Sequence, residues 1–264
     1  MFLWRNADVL WVTLQTDHMV QVREIAGAWG NERFPGPRRR GAFLAARLHD
    51  EGWGEIDHRP EFDDETGLPV ELTGKVFGSV FGSSTMPASH YGRGVDLLLS
   101  LDKYAALLAS MHGTGVYLRD YGIDGQPVPD RERLKPEARA FLETHEKLQA
   151  NLKGETGAGD EEVWHDFRLL IAWNRLSQIF SRGLTDVSLS RVPTVDRPEG
   201  VDIRAVRVNT LTVSLDPYPF HEEPGFFPVR TYSAPYRRYA SREEFLSAVA
   251  AVPSFSAVYR AVRR

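Results

Sequence analysis

The chain has 264 residues, 42% hydrophobic and 26% charged, and its 32 basic and 36 acidic side chains leave a formal charge of −4. These proportions describe a folded globular chain of one large domain, or a domain with an appendage, and the acidic balance argues against nonspecific nucleic-acid binding. The absence of cysteine excludes disulfides, thiolate nucleophiles, iron–sulfur clusters and Cys-ligated zinc, so any metal must rest on His, Asp, Glu or Asn.

The first residues are apolar in places but are broken by Arg5, Asn6 and Asp8, and no export signal is legible there. No uncharged apolar run of roughly 18 residues occurs, so a cytoplasmic chain without a membrane span is expected. Residues 2–5 and 9–15 flank the turn formers Asn6-Ala7-Asp8 and predict a β-hairpin. From Thr16, read as an N-cap, Val22, Ile25, Ala26 and Trp29 recur at helical spacing with His18 on the same face, and Gly30-Asn31 stops the run. A second helix is predicted over 38–50, with Ala42, Ala45, Ala46 and His49 on one stripe. Its leading Arg38-Arg39-Arg40 reads as a solvent-facing start, or as a contact for a phosphorylated ligand.

Residues 55–75, rich in Pro, Gly and acids, predict a loop. Two helices are predicted over 88–118 with a break near Ser100-Leu101-Asp102, the second carrying Tyr104, Ala105, Leu108, Ala109 and His112 on a stripe of small residues. Helices also fit 135–152 and 161–183, separated by a Gly-rich polar loop over 153–160. Beyond Gly183 the β-branched runs 201–208, 211–215 and 229–232 predict strands, and the capping box Ser241-x-x-Glu244 opens a last helix through Val252. Pro217-Tyr218-Pro219-Phe220 with Phe226-Phe227 reads as the aromatic seam between strands and helices. The expected fold is therefore mainly α: a helical body with an N-terminal hairpin over residues 1–183, and a small α+β extension over 184–264 packed on it. The hairpin can pair with the extension's strands, since two strands alone are marginally stable.

His18, His49 and His112 each lie on an apolar stripe. Taken singly, each reads as a hydrogen-bonded core histidine; three on small-residue faces leave room for imidazoles to meet around a metal. His49-Asp50 ends the second predicted helix, and neighbouring helical side chains diverge by about 100°, so both can reach one ion only if it sits off the helix end, where Gly52 lets the backbone turn. One neutral nitrogen with one anionic oxygen suits Mn, Fe, Zn, Co or Ni.

His18 followed by His49-Asp50, after the apolar run 42–48, resembles the start of the HD superfamily of metal-dependent helical hydrolases. Over nearly the whole chain, Thr16-Asp17-His18, Trp29-Gly30-Asn31, His49-Asp50-Glu51-Gly52-Trp53, Asp57, Pro60, the run 106–112 and Pro217-Tyr218-Pro219-Phe220 resemble a bacterial family of unknown function. The HD resemblance implies an HD-like helical bundle and a site for one or two divalent ions, with His18, His49 and Asp50 as its core. In that family a late Asp completes the set; the matching string here is Ala172-Trp173-Asn174-Arg175-Leu176-Ser177, so an amide, Asn174, stands where a carboxylate is expected. His112 with His90 or Asp96 can add ligands in the manner of binuclear members.

The activity this implies is metal-dependent hydrolysis of a small phosphorylated substrate. Asp50 serves the catalytic centre, Asp57 or His58 orients groups or shuttles a proton, and Arg93 and Arg175 are candidate phosphate contacts. Two other readings stand beside it: an HD-like di-iron oxidase, and a degenerate HD-like fold that binds a ligand or partner without catalysis, which the Asn174 departure favours.

Overall fold

The computed structural model describes residues 1–70, 89–118 and 131–264, and in it strands from both ends of the chain build one sheet. The hairpin forms as β1 (Phe2–Asn6) and β2 (Val9–Thr13), turning through Ala7, whose φ is +55°. The late strands are β5 (Asp186–Val192), β6 (Val201–Asn209), β7 (Thr212–Asp216), β8 (Gly225–Pro235) and β9 (Phe255–Arg263). Their order across a seven-stranded sheet is β1-β2-β8-β9-β7-β6-β5. Neighbours are antiparallel except β7 and β9, which run parallel. A separate two-stranded hairpin, β3 (Phe62–Asp63) with β4 (Leu68–Pro69), lies within the stretch expected to be a loop.

The sheet corrects the expected fold class. The chain is not a mainly α, HD-like helical bundle carrying a small extension, nor is it all-α: it is a mixed fold in which a large sheet and a set of helices share one core. The reason is legible in β5 and β9, neither of which the β-branched runs mark. Strand β9 buries alternate small and aromatic residues, Ala257, Tyr259 and Ala261, and so presents the period of a half-buried strand without a β-branched run on its inner face. The hairpin joins through β2, which pairs with Tyr232–Pro235 of β8.

The helices are α1 (Gln15–Ala28), α2 (Gly41–Leu48), α3 (Gly54–His58), α4 (Ser89–Leu101), α5 (Lys103–Leu118), α6 (Pro136–Thr156), α7 (Asp160–Ser181) and α8 (Arg242–Ala250). A 3₁₀ turn, Glu51–Trp53, joins α2 to α3. The break between α4 and α5 falls at Asp102, whose Oδ1 accepts the Ala105 N–H at 2.8 Å as an N-cap does. The polar segment 153–160 is mostly helical: α6 runs to Thr156 and stops at Gly157, whose φ of +60° lets the Ala158 N–H reach back to the Lys153 carbonyl. Ser241 caps α8 by accepting the Glu244 N–H, as the capping box predicts, and Glu244 reaches back to the Ala240 N–H, one residue before the N-cap N–H that the box assigns it.

Thr16 is not the cap of α1. Its first N–H, from Gln15, donates to the carboxylate of Asp57, 42 residues away, so a distant anion occupies the positive end of the helix. The arginine run is likewise structural: the Arg38 and Arg39 N–H groups donate to Asp166, and the Arg39 guanidinium pairs with Glu162 at 2.7 Å. Helix α1 packs against β8, α2 and α7. The Pro217–Phe220 segment forms the predicted seam, with Phe220 bridging to Trp29 and its ring 4.8 Å from that of Phe227. No helix among the described residues is long and apolar enough to cross a membrane.

Candidate metal centre

Alanines bring the histidine-bearing helices together. Ala42, Ala45 and Ala46 of α2 and Ala105, Ala106 and Ala109 of α5 are fully buried, and α2 packs on α5. Such short side chains allow close helix approach, and the longer groups at the helix ends then converge. His18 comes from α1, His49 and Asp50 from the end of α2, His112 from α5 and Asn174 from α7, each no more than 6% exposed. Beyond Leu48 the chain leaves the helix through Asp50, with φ −113° and ψ 19°. Both members of the His-Asp pair thus face one point off the helix end, as their adjacency requires.

The nitrogen and oxygen donors of His18, His49 and Asp50 all lie within 4.8 Å of one another. Asp50 is 3.4 Å from His49 Nε2 through Oδ2 and 3.4 Å from His112 Nε2 through Oδ1. His18 Nε2 is 2.7 Å from Asn174 Oδ1, and its Nδ1 is 2.7 Å from Ser177 Oγ. The rings of His18 and His49, and of His49 and His112, sit edge to face at 6.0 and 4.5 Å.

Protonation follows from burial. Desolvation, reinforced by His49, lowers the His18 pKa to about 3. Desolvation also lowers that of His49 to about 4, Asp50 opposing and His112 adding to the shift. Burial acts to raise the Asp50 pKa, but His49, His112 and His18 together hold it below the ordinary carboxylate range. At neutral pH, His18 and His49 are uncharged and Asp50 is an anion, the states a divalent ion requires of its ligands.

His49 Nε2 is buried facing Asp50 Oδ2, with the Asn174 side chain also against His49, while Asp50 Oδ1 faces His112 Nε2. Because His49 Nδ1 turns to the Ala46 carbonyl at 3.3 Å, it carries the proton, and the Nε2 lone pair faces a carboxylate. A lone pair and a carboxylate oxygen opposed in this way make a favourable place for a cation. The residues present therefore fit a divalent ion, with His18, His49 and Asp50 as ligands and His112 and Asn174 at hand.

Other candidate residues lie elsewhere. His90 directs Nδ1 to the Gly52 carbonyl at 3.2 Å, contacts Arg93 and stacks obliquely on Trp53, outside the cluster. Asp57 is buried, but it binds the Met1 amino group and the Gln15 N–H; it anchors the start of the helix that carries His18. His58 is exposed at the end of α3. Arg93 pairs with Glu55 at 3.4 Å, and Arg175 donates to Gln178 on its own helix. Two participants escaped the sequence reading, Gln21 and Ser177, both fully buried. Their signal was spacing: Gln21 is three residues after His18 and Ser177 three after Asn174, so each shares a helical face with a candidate ligand.

Fold and site together define a mixed helix-and-sheet protein with a buried histidine–aspartate centre. Residues 1–232 match the family described as "Protein of unknown function (DUF3891)", and the chain belongs to that family. No curated protein and no solved structure matches the chain.

Proposed function

We propose that the protein is a divalent-metal-dependent hydrolase of HD-like type acting on a phosphate ester of a small substrate. The observation that carries the metal is the convergence of His18, His49 and Asp50, all buried, with ligand atoms within 4.8 Å of one another and the His49 Nε2 lone pair facing the Asp50 carboxylate. The hydrolytic, phosphate-directed part is what the HD resemblance implies for such a ligand set. His18, His49 and Asp50 would hold the ion, His112 standing beside Asp50. When bound, an ion there supplies Lewis acidity toward water and a phosphoryl oxygen.

The chain's own residues prepare that chemistry. Asp50 supplies the one negative charge of the set, and the two neutral imidazoles would leave a divalent ion with about one net positive charge. Phe2, edge-on to His18 at 4.9 Å, and Tyr91, 6.4 Å from His112, wall the cluster with apolar surface, which excludes water and strengthens electrostatic interaction inside.

The test is metal analysis of protein purified without chelator, followed by a screen against phosphomonoesters and phosphodiesters. The expected result is an ion bound in stoichiometric amount, lost in Asp50→Asn, with hydrolysis that chelation abolishes and metal restores. Binding should also raise the melting temperature, since an ion at about 1,000 times its Kd adds about 4 kcal/mol. A folded wild-type chain that takes up no Mn, Fe, Zn, Co or Ni overturns the reading.

A further inference from the structure

A chain of buried hydrogen bonds runs from the sheet to His18. Gln21 Nε2 donates to the Phe227 carbonyl of β8 at 3.1 Å, Ser177 Oγ lies 2.7 Å from Gln21 Oε1, and His18 Nδ1 lies 2.7 Å from Ser177 Oγ. Each link can be assigned from donor chemistry alone. A backbone carbonyl only accepts, so Gln21 must present its amide N–H₂ to Phe227 and its oxygen to Ser177. An amide oxygen also only accepts, so the single hydroxyl proton of Ser177 goes to Gln21. Ser177 Oγ is left with lone pairs toward His18, and the bond between them needs a proton on Nδ1.

We propose that Gln21 and Ser177 are positioning residues that hold His18 in its Nδ1–H tautomer, leaving the Nε2 lone pair toward Asn174 and the buried cluster. The opposite tautomer would place a proton between His18 Nε2 and Asn174 Oδ1, but it would set Ser177 Oγ and Gln21 Oε1 as two acceptors 2.7 Å apart. Turning the Gln21 amide does not relieve that, because it opposes an amide oxygen to the Phe227 carbonyl. With Nδ1 protonated, the relay is satisfied and the adjustment falls on the contact with Asn174, a residue that also meets His49. That contact is satisfied by a cation bound to both atoms or by rotation of the Asn174 amide to donate. A metal-ligating histidine typically has its other nitrogen fixed by such a partner. The value of the tautomer to the protein rests on the metal-centre reading above; the assignment itself rests on the relay.

The experiment uses metal-free, histidine-¹⁵N-labelled protein at pH 7, with His18 identified by the signal lost in His18→Gln. Long-range proton–nitrogen correlation is expected to show Nδ1 protonated and Nε2 bare in the wild type. Ser177→Ala should move His18 toward the Nε2–H form and weaken zinc binding roughly 10–100-fold, and Ser177→Thr, which keeps the hydroxyl, should restore both. An Nε2–H His18 in the metal-free wild type overturns the proposal whatever the variants do, as does a Ser177→Ala protein with native circular dichroism and an unchanged His18 tautomer. Nδ1–H in a wild-type chain that binds none of Mn, Fe, Zn, Co or Ni would support the relay while removing the metal reading; zinc binding with Nε2–H would do the reverse.

Discussion

His18 and His49 are held uncharged by burial, and this has a consequence for acid stability. Their folded pKa values, about 3 and about 4, lie below the 6.5 of free imidazole. Between these limits the unfolded chain binds more protons, so stability falls as pH is lowered, by up to about 1.4 kcal/mol per pH unit for each histidine. Asp50, depressed in the folded chain, adds its loss only below its unfolded value of 3.8. Asp17 acts in the opposite sense: burial first, with Asp57 adding and Arg230 and Arg47 opposing, raises its pKa from 3.8 to about 6. The folded chain therefore takes up a proton there as pH falls from 6 toward 4, which offsets part of the histidine term. In urea unfolding of metal-free protein at pH 6.5, 5.5 and 4.5, Asp17→Asn should lose stability more steeply than wild type; parallel slopes would remove Asp17 from this balance. The central ligands were legible as residues because an imidazole on an alanine stripe is conspicuous. Gln21 and Ser177 were not, because a buried amide and a hydroxyl gain a role only from what faces them, and their partners lie 206 and 159 residues away in Phe227 and His18.

The turn Glu51–Trp53 holds Asp50 through the bond from the Trp53 N–H to its carbonyl, and it packs on α4 through Gly52. A Cβ there would sit well inside contact distance of the His90 carbonyl on α4, which is backbone and has little freedom to move. Gly52→Ala should push α4 off the turn, lower stability by about 1–3 kcal/mol as overpacking does, and weaken metal binding through displacement of Asp50. Gly92→Ala, on the same helix with nothing within 4 Å of its added methyl, should instead be neutral or stabilising by about 0.5–1 kcal/mol. Chemical denaturation of the pair separates a steric effect at the turn from a general intolerance of α4. At this scale most helices were readable from period and caps, including the break at Asp102 and the box at Ser241. The cap of α1 was not, because its anion, Asp57, is remote in sequence. Strands β5 and β9 are not legible from β-branched runs, since β9 buries alanine and tyrosine.

Chain order and sheet order diverge most at β9, which is last in sequence yet sits between β8 and β7. It joins the half of the sheet that contains the N-terminal hairpin to the half made of β7, β6 and β5. The family match ends at residue 232, within β8 and before β9. A chain cut there loses the antiparallel partner of β8 and the parallel partner of β7 at once, and exposes a long unpaired edge on each. It also uncovers Phe180 of α7, on which the Tyr259 ring stacks at 5.0 Å. That helix carries Asn174 and Ser177, so the damage reaches the histidine cluster through packing. A 1–232 fragment is therefore expected to lack a cooperative thermal transition and near-ultraviolet dichroism, and to be cleaved rapidly by protease. In the full chain, Tyr259→Ala should cost about 3–5 kcal/mol, in the range for a buried aromatic truncated in a core, and should lower the melting temperature of sheet and helices together in one transition. A cooperatively folded 1–232 fragment, or separate sheet and helix transitions in Tyr259→Ala, would mean that β9 is peripheral to the core rather than its link.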